Sequence, residues 1–244
     1  MRQVWLTSDT HFGDENARKW RHRPFDTVGE MNEAMVSRWN EVVGKDDLVY
    51  HLGDVAVTDD DLRYVKRLNG EIRLLMGNHD LKRDRSILND LFHIIEPDPF
   101  IITANDDWDE VNIRLCHYPI QRLFEVDGKE CYTACGHVHN LWTVARKMVN
   151  VGTENWNFRP IPIEEVLNCR RCEMEGRWDA NVYPDAPIDW QAEMSSINPR
   201  GDEEPTMGIL WERVNSPTPR EETDHYRSER AWMIMLGDIE WDVP

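Results

Sequence analysis

The sequence lacks long hydrophobic runs and a dense set of cysteines. None of the apolar stretches in its 244 residues approaches the roughly 20 residues that a membrane-spanning helix needs, which excludes an integral membrane protein. The five cysteines are odd in number and scattered, which argues against a disulfide-stapled secreted domain. The apolar stretch after Met1 is too short for a signal peptide, so we expect a cytoplasmic protein without membrane contact.

Positive charge is also scarce in this chain. The chain has 28 Lys and Arg residues and 46 Asp and Glu residues, which gives a formal net charge of -18. A field of this sign repels a phosphate polymer unless a local basic patch or a bound metal overrides it. Long nucleic acid is therefore disfavoured as a partner, and a small nucleotide is disfavoured less.

The end of the chain has a different composition from the rest. Residues 169–244 contain no Lys and only 10 Ile, Leu, Val or Phe, about 13%, which is below the roughly 20% expected of a folding chain. Five of the eleven tryptophans nevertheless lie there, and large aromatic rings favour packing. We therefore predict one domain over residues 1–168 and an acidic arm over residues 169–244 that packs on the core or is partly disordered.

Between residues 1 and 168, short apolar runs alternate with helical patterns, which is typical of an α/β domain. Apolar positions three or four apart predict a helix that begins at Asp26 and ends at Gly44. The turn-prone residues 105–107 separate two strand-like runs and predict an antiparallel hairpin, so we expect mixed sheets.

Polar residues follow five of the apolar runs. They are Asp9, His11, Asp54, Asn78, His79, Asp80, His117, His137 and His139. Imidazole, carboxylate and amide groups suit divalent ions such as Mn, Fe and Zn. Two neighbouring ions need a bridging carboxylate and hold a nucleophilic hydroxide between them, and Asp54 is the central candidate for the bridge.

The motifs occur in a recognisable order. They are Asp-x-His at 9–11, Gly-Asp at 53–54, Gly-Asn-His-Asp at 77–80, a lone His117 and Gly-His-x-His at 136–139. Together they resemble the calcineurin-like metallophosphoesterase family, in its small bacterial and phage type, over residues 1–168. The resemblance implies a two-sheet αββα sandwich with helices on the outer faces, which the acidic arm extends.

The resemblance also implies roles for individual residues. It assigns Asp9, His11 and His139 to a first metal site and Asn78, His117 and His137 to a second, with Asp54 shared. It implies that His79 binds the phosphoryl group or protonates the leaving oxygen, and that Asp80 orients His79. Two divalent ions are expected as cofactors, with Mn favoured and Fe, Ni or Zn as alternatives.

The segment after the first motif departs from the family pattern. Asp14 stands where small members often have a further histidine. The basic run that follows supplies candidate substrate contacts, and a solvated basic loop is an equal alternative. The candidates are Asn16, Arg18, Arg21 and Arg23.

The implied activity is hydrolysis of a small phosphodiester, such as a 2',3'-cyclic nucleotide, by attack of a metal-bridged hydroxide. A phosphomonoesterase or a nuclease with the same site is the first alternative. A protein-binding scaffold with weak catalysis is the alternative from another class. The arm could cover the site or recruit a partner or a second copy of the chain, which leaves a homo-oligomer open.

Overall fold

The computed structural model describes residues 2–96, 99–106, 109–119, 125–126, 128–145 and 147–175. Most of the predicted acidic arm, from residue 176 onward, lies outside the described residues. Among the residues that are described, no helix is both long and apolar enough to cross a bilayer.

Twelve strands form in the described part of the chain. In chain order they are β1 (Val4–Thr7), β2 (Leu48–His51), β3 (Glu71–Leu75), β4 (Ile94–Glu96), β5 (Phe100–Asn105), β6 (Glu110–Leu115), β7 (Glu125–Val126), β8 (Lys129–Glu130), β9 (Tyr132–Cys135), β10 (Val144–Ala145), β11 (Met148–Asn150) and β12 (Ile161–Pro162). The first sheet has the order β12-β1-β2-β3-β4, and the second has the order β10-β11-β9-β6-β5. Strands β7 and β8 form a separate hairpin.

Both sheets are mixed. Strands β1 to β4 are parallel, and β12 joins them antiparallel to β1. In the second sheet β6, β9 and β11 are parallel, whereas β5 pairs antiparallel with β6 as the hairpin prediction requires. The carboxyl ends of parallel strands share one edge of their sheet, which is where ligands bind in open α/β sheets.

The described residues form four α-helices, of which α2 and α4 are the longer ones. The four are α1 (Glu15–Trp20), α2 (Val28–Val42), α3 (Arg85–Asn89) and α4 (Ile163–Met174). Turns of 3-10 helix cover Asp60–Arg67, Asp80–Lys82 and Thr153–Trp156. The cap of α2 is Thr27 rather than the predicted Asp26, because the Thr27 hydroxyl accepts the Glu30 N–H at 3.1 Å. The Glu30 carboxylate in turn accepts the Asp26 N–H at 3.0 Å, which completes a variant of the capping box.

Two apolar layers follow from the alternation of side chains along the first sheet. Trp5 faces outward into a core that α2 covers with Met31, Met35 and Trp39. Leu6 faces the second sheet and packs in a core that also holds residues of β6, β9 and β11. The predicted two-sheet α/β architecture is confirmed.

Helix α4 crosses the predicted domain boundary at 168/169. Cys169 is fully buried in the core between the sheets. Glu173 accepts the Tyr132 hydroxyl at 2.6 Å, and Arg171 donates to Asp106 at 2.9 Å. Helix α4 and its contacts with the core therefore continue past residue 168, and the division of the chain into a domain and an arm stays a prediction.

Candidate metal centre

The predicted ligands lie on loops that leave the carboxyl ends of β1, β2, β3, β6 and β9. Backbone hydrogen bonds join these loops to one another. The Asp9 N–H donates to the Gly53 carbonyl at 2.9 Å, and the Gly136 N–H donates to the His117 carbonyl at 3.0 Å. Each of these two bonds joins loops of one sheet, and the His137 N–H connects the two sheets by donating to Asp9 Oδ2 at 2.9 Å.

Five of the predicted ligands have a left-handed backbone. The φ angles are 57° at Asp9, 47° at His11, 58° at Asp54, 71° at His137 and 50° at His139. A non-glycine residue rarely adopts this conformation, and such strain concentrates at functional sites. Five of the nine such residues in the described ranges thus belong to one predicted site.

Asp9, His11 and His139 form a buried group that could hold a metal ion, since one ligand atom of each lies within 4.8 Å of the others. The His11 Nε2 atom is 3.9 Å from Asp9 Oδ1, and the rings of His11 and His139 stack at 5.1 Å. Asp9 Oδ1 and both ring nitrogens of His11 are buried without a hydrogen-bond partner among the described residues. Buried polar atoms need partners, and a cation at this position would supply one.

Asp54, His117 and His137 form a second buried group of the same kind. His117 Nδ1 donates to the Leu52 carbonyl at 2.7 Å, so its Nε2 atom carries a lone pair when the ring is neutral. That Nε2 atom lies 3.0 Å from Asn78 Oδ1, which is also an acceptor. Two acceptors at this distance require a proton or a cation, so this geometry also fits a metal ion.

The electrostatics of His117 lead to the same conclusion. Burial lowers the pKa of His117, but the neighbouring Asp54 carboxylate more than offsets it and raises the pKa to about 9. Burial raises the pKa of Asp54, yet His117 and His11 outweigh it and hold the pKa well below its usual range. The pair therefore favours a positive charge between an anionic carboxylate and the imidazole.

The Asp54 carboxylate faces both groups. Its Oδ2 atom lies 3.6 Å from His11 Nε2 and 3.5 Å from His117 Nε2. Its Oδ1 atom accepts the His79 N–H at 2.9 Å, which fixes the orientation of the carboxylate. This is the position that a bridging ligand would need.

Two glycines allow the loops to approach the carboxylates. A Cβ atom at Gly77 would lie 2.2 Å from Asp54 Oδ1, and one at Gly136 would lie 2.4 Å from Asp9 Oδ2. Real Cβ atoms essentially never come this close to another heavy atom. Both positions therefore require glycine, and both belong to the predicted motifs.

The two predicted catalytic residues differ in position. The His79 ring is partly exposed, at 26%, and makes an edge contact with His11 at 4.9 Å. Asp80 is fully buried, and its carboxylate accepts the N–H groups of Asp54, Gly77 and Val55 at 2.6, 2.9 and 3.2 Å. Asp80 therefore acts on the backbone of the two loops, including the backbone that leads to His79.

The predicted substrate contacts are not equivalent in the structure. The prediction for Arg23 is wrong, because its side chain is 0% exposed and donates to groups inside the protein. Arg18 donates to Glu15 and to the Phe25 carbonyl, which makes it a local support of α1. Asn16 is exposed on α1, and Arg21 is partly buried, so both remain predictions.

Asp14, the departure from the family pattern, has a clear position. Its carboxylate caps α1 by accepting the N–H groups of Asn16 and Ala17, and its other oxygen lies 3.4 Å from His11 Nδ1. Burial raises its pKa, but His11 and these N–H groups outweigh burial and lower the pKa to about 2. An anionic group therefore stands beside His11 at this corner of the site.

Sequence analysis missed two side chains of the centre. Tyr118 makes edge contacts with His117 at 5.0 Å and His137 at 4.5 Å. The buried Glu154 carboxylate accepts His139 Nδ1 at 2.8 Å. Tyr118 directly follows a predicted ligand, which was an available signal, whereas Glu154 lies outside all of the motifs and had no such signal.

The fold and the site define a class, namely α/β proteins that can hold divalent metal at the strand ends of a two-sheet sandwich. Residues 2–162 match the model of the calcineurin-like phosphoesterase superfamily domain, and the chain belongs to this family. The family is metal-dependent, which agrees with the buried aspartate and histidine groups described above.

Two curated proteins and one solved structure are similar to this chain. An uncharacterized protein from Methanocaldococcus jannaschii is 30% identical over 68% of this chain and 90% of its own length. The Gene 66 protein of Mycobacterium phage L5 is 27% identical over 64% of this chain and 88% of its own length. A crystal structure of a protein of unknown function from Aquifex aeolicus is similar in fold, with a TM-score of 0.52 and 24% identity over 69% of this chain and 99% of that one.

Proposed function

We propose that this chain is a phosphodiesterase that hydrolyses small phosphodiesters, such as 2',3'-cyclic nucleotides, with two divalent metal ions. Membership of a family of phosphoesterases supports the reaction class. One observation carries the two-ion proposal, namely that Asp54 Oδ2 faces His11 at 3.6 Å and His117 at 3.5 Å.

Each ion would have its own set of ligands. Asp9, His11 and His139 would hold the first ion, and Asn78, His117 and His137 would hold the second, with Asp54 shared. Bound divalent ions stabilise charge on phosphoryl oxygens and lower the pKa of water. Mn is the first ion to test, and Fe, Ni and Zn suit the same donors.

His79 is the proposed proton donor to the leaving oxygen. Its ring lies at the edge of the buried groups and is open to solvent on one side, so a substrate could reach it. Its main-chain N–H is held by Asp54 at 2.9 Å, which places the residue relative to the proposed bridge. A histidine suits proton transfer near neutral pH.

The preferred substrate size follows from charge. The net charge of -18 opposes the approach of a long polyanion more than that of a mononucleotide.

The segment from Arg18 to Arg21 lies beside the site, since the Asn140 amide of the Gly-His-x-His loop donates to the Arg21 carbonyl at 3.4 Å. Arg21 is the member of the basic run that we propose for contact with a small substrate.

The experiment compares hydrolysis of bis(p-nitrophenyl) phosphate with hydrolysis of p-nitrophenyl phosphate, using Mn and the full chain. We expect turnover of the diester that disappears after chelation and in Asn78→Ala. Asn168→Ala is the matched control, because Asn168 is exposed on α4, a helix that supplies none of the proposed ligands, and its amide donates to Glu165. Its turnover should equal that of the unchanged chain.

The other outcomes separate the alternatives. Turnover of the monoester alone would refute the diesterase and support a phosphomonoesterase. Hydrolysis of neither compound, nor of a panel of cyclic nucleotides and oligonucleotides, with two ions bound would favour the protein-binding scaffold.

A further inference from the structure

Arg23 and Glu154 form a buried ion pair beside the proposed first metal site. The Arg23 Nη2 and Nε atoms donate to Glu154 Oε1 at 2.6 and 3.0 Å. The two side chains are 0% and 4% exposed, although 131 positions separate the residues in the chain. Desolvating two charges is costly, and a buried pair is retained where it has a specific role or excellent geometry.

The same guanidinium holds the backbone of the first motif. Arg23 donates to the Asp9 carbonyl at 2.7 Å and to the Thr10 carbonyl at 2.8 Å. Thr153, the neighbour of Glu154, adds a hydroxyl bond to the Asp9 carbonyl at 3.1 Å. The left-handed backbone at Asp9 is thus supported by Arg23 and by Thr153, the chain neighbour of Glu154.

Glu154 determines how His139 presents its ring. Glu154 Oε1 lies 2.8 Å from His139 Nδ1, and a carboxylate next to Arg23 can only accept. The proton of a neutral His139 therefore resides on Nδ1, and the lone pair on Nε2 is left for a metal ion. Arg23 donates two N–H groups to the same Glu154 oxygen, which holds the carboxylate where it accepts from His139.

In the proposed second site, a different kind of acceptor orients the ligand His117. His117 Nδ1 donates to the main-chain carbonyl of Leu52 at 2.7 Å, and no side-chain substitution can remove that acceptor. His139 of the proposed first site is therefore oriented by a side chain, whereas His117 of the proposed second site is oriented by the backbone.

We infer that Glu154, held by Arg23, is a positioning residue that orients His139 and sets the metal affinity of the first site without acting on the second. The inference deepens the proposed function and rests on it, because it requires a metal ion at Asp9, His11 and His139. It is independent of which phosphoester is hydrolysed.

The test measures zinc binding to the full chain without substrate. Titration with Zn²⁺ alone gives the affinity of each site, and two-bond 1H–15N spectra of 15N-histidine protein report which ring nitrogen carries the proton. His139→Asn and His117→Asn identify the corresponding signals. In the metal-free wild type, the His139 proton should be on Nδ1.

Two variants separate the charge from the hydrogen bond. Glu154→Gln keeps an acceptor and removes the charge, and the double variant Arg23→Met/Glu154→Met removes both partners, which avoids an unpaired buried charge. We expect first-site affinity to fall within the range of about 10- to 100-fold known for such outer partners, most in the double variant. The His139 proton should leave Nδ1 only in the double variant, and the His117 signals and second-site affinity should not change.

Glu33→Gln is the matched control, because Glu33 also makes a double hydrogen bond to an arginine, Arg67, but on the exposed surface. Its zinc affinities should equal those of the wild type. Equal first-site affinity and an unchanged His139 proton in the folded double variant would overturn the inference. Equal weakening of both sites would also overturn it, since the pair would then act on the fold as a whole. A wild-type chain that binds no metal would instead refute the proposed function.

Discussion

At the scale of single residues, the centre is defined by acceptors that face one another. Asp9 Oδ1 and the His11 nitrogens have no hydrogen-bond partner within the described ranges, and His117 Nε2 faces Asn78 Oδ1 at 3.0 Å. Such an arrangement is unfavourable without a positive charge, so the free energy of metal binding includes relief of this cost. Proton and metal compete for the same position.

This competition predicts how the stability of the metal-free protein depends on pH. The folded-state pKa of His117 is about 9 against an ordinary 6.5. Its stabilising contribution is therefore fully present below pH 6.5 and is lost as the pH rises through 9. The melting temperature of the chelated protein should therefore decrease as the pH is raised from 6.5 to 9. The decrease should be smaller in His117→Gln.

With saturating metal the dependence on pH should disappear or reverse, because the ion takes the place of the proton. Thermal melts at three pH values, with and without Mn, check this prediction. A midpoint that rises with pH in the chelated wild type would contradict it.

His79 carries a second prediction at this scale. His79→Asn should lower kcat by about 10²- to 10⁴-fold, as loss of a general acid does, while the metal content stays the same. The reason is that the ring is partly exposed at the edge of the buried groups. Turnover of bis(p-nitrophenyl) phosphate and metal analysis of the same sample check this. Loss of metal would show that His79 is a ligand, a role that its grouping with His11 and Asp54 allows.

At the scale of elements, the site depends on how closely the loops approach one another. The strand ends and the order of the motifs predicted which loops meet, because parallel strands present their carboxyl ends at one edge. The distance between these loops is set by contacts that cannot be predicted from the sequence. Asp80, for example, holds the N–H groups of Asp54 and Gly77 with one carboxylate.

The close approach at Gly136 gives the prediction for this scale. A Cβ atom there would lie 2.0 Å from Ser8 Oγ and 2.4 Å from Asp9 Oδ2. Gly136→Ala should therefore displace Asp9 and weaken metal binding at the first site. Calorimetric titration with Mn measures the effect.

Gly29→Ala is the control for Gly136→Ala, since Gly29 lies in the first turn of α2 and a Cβ there would meet only Thr27 Oγ1 at 3.9 Å. It should bind metal normally and gain stability of about 0.5–1 kcal/mol, because alanine favours a helix over glycine. Equal metal affinity in the two variants would contradict the argument.

At the scale of the whole molecule, contacts between distant segments are what the sequence could not predict. Arg23 belongs to a basic run that looks the same whether a side chain faces solvent or the core, and its partner Glu154 is 131 positions away. The metal ligands, by contrast, could be predicted from the sequence, because they lie next to strands and follow a known order. The boundary after residue 168 came from the average composition of the last 76 residues, and an average hides that the first of them complete α4.

The extent of α4 predicts where the chain can be shortened. A chain that ends at residue 168 loses the buried Cys169, the Arg171 contact with Asp106 and the Glu173 contact with Tyr132. A chain that ends at residue 175 keeps all of them. The shorter chain should melt at a clearly lower temperature or aggregate, because its core between the sheets is opened to water. The chain that ends at residue 175 should bind Mn as the full chain does, and its turnover relative to the full chain then measures what residues 176–244 contribute. Equal melting temperatures for the two shortened chains would place the end of the folded unit at residue 168 after all.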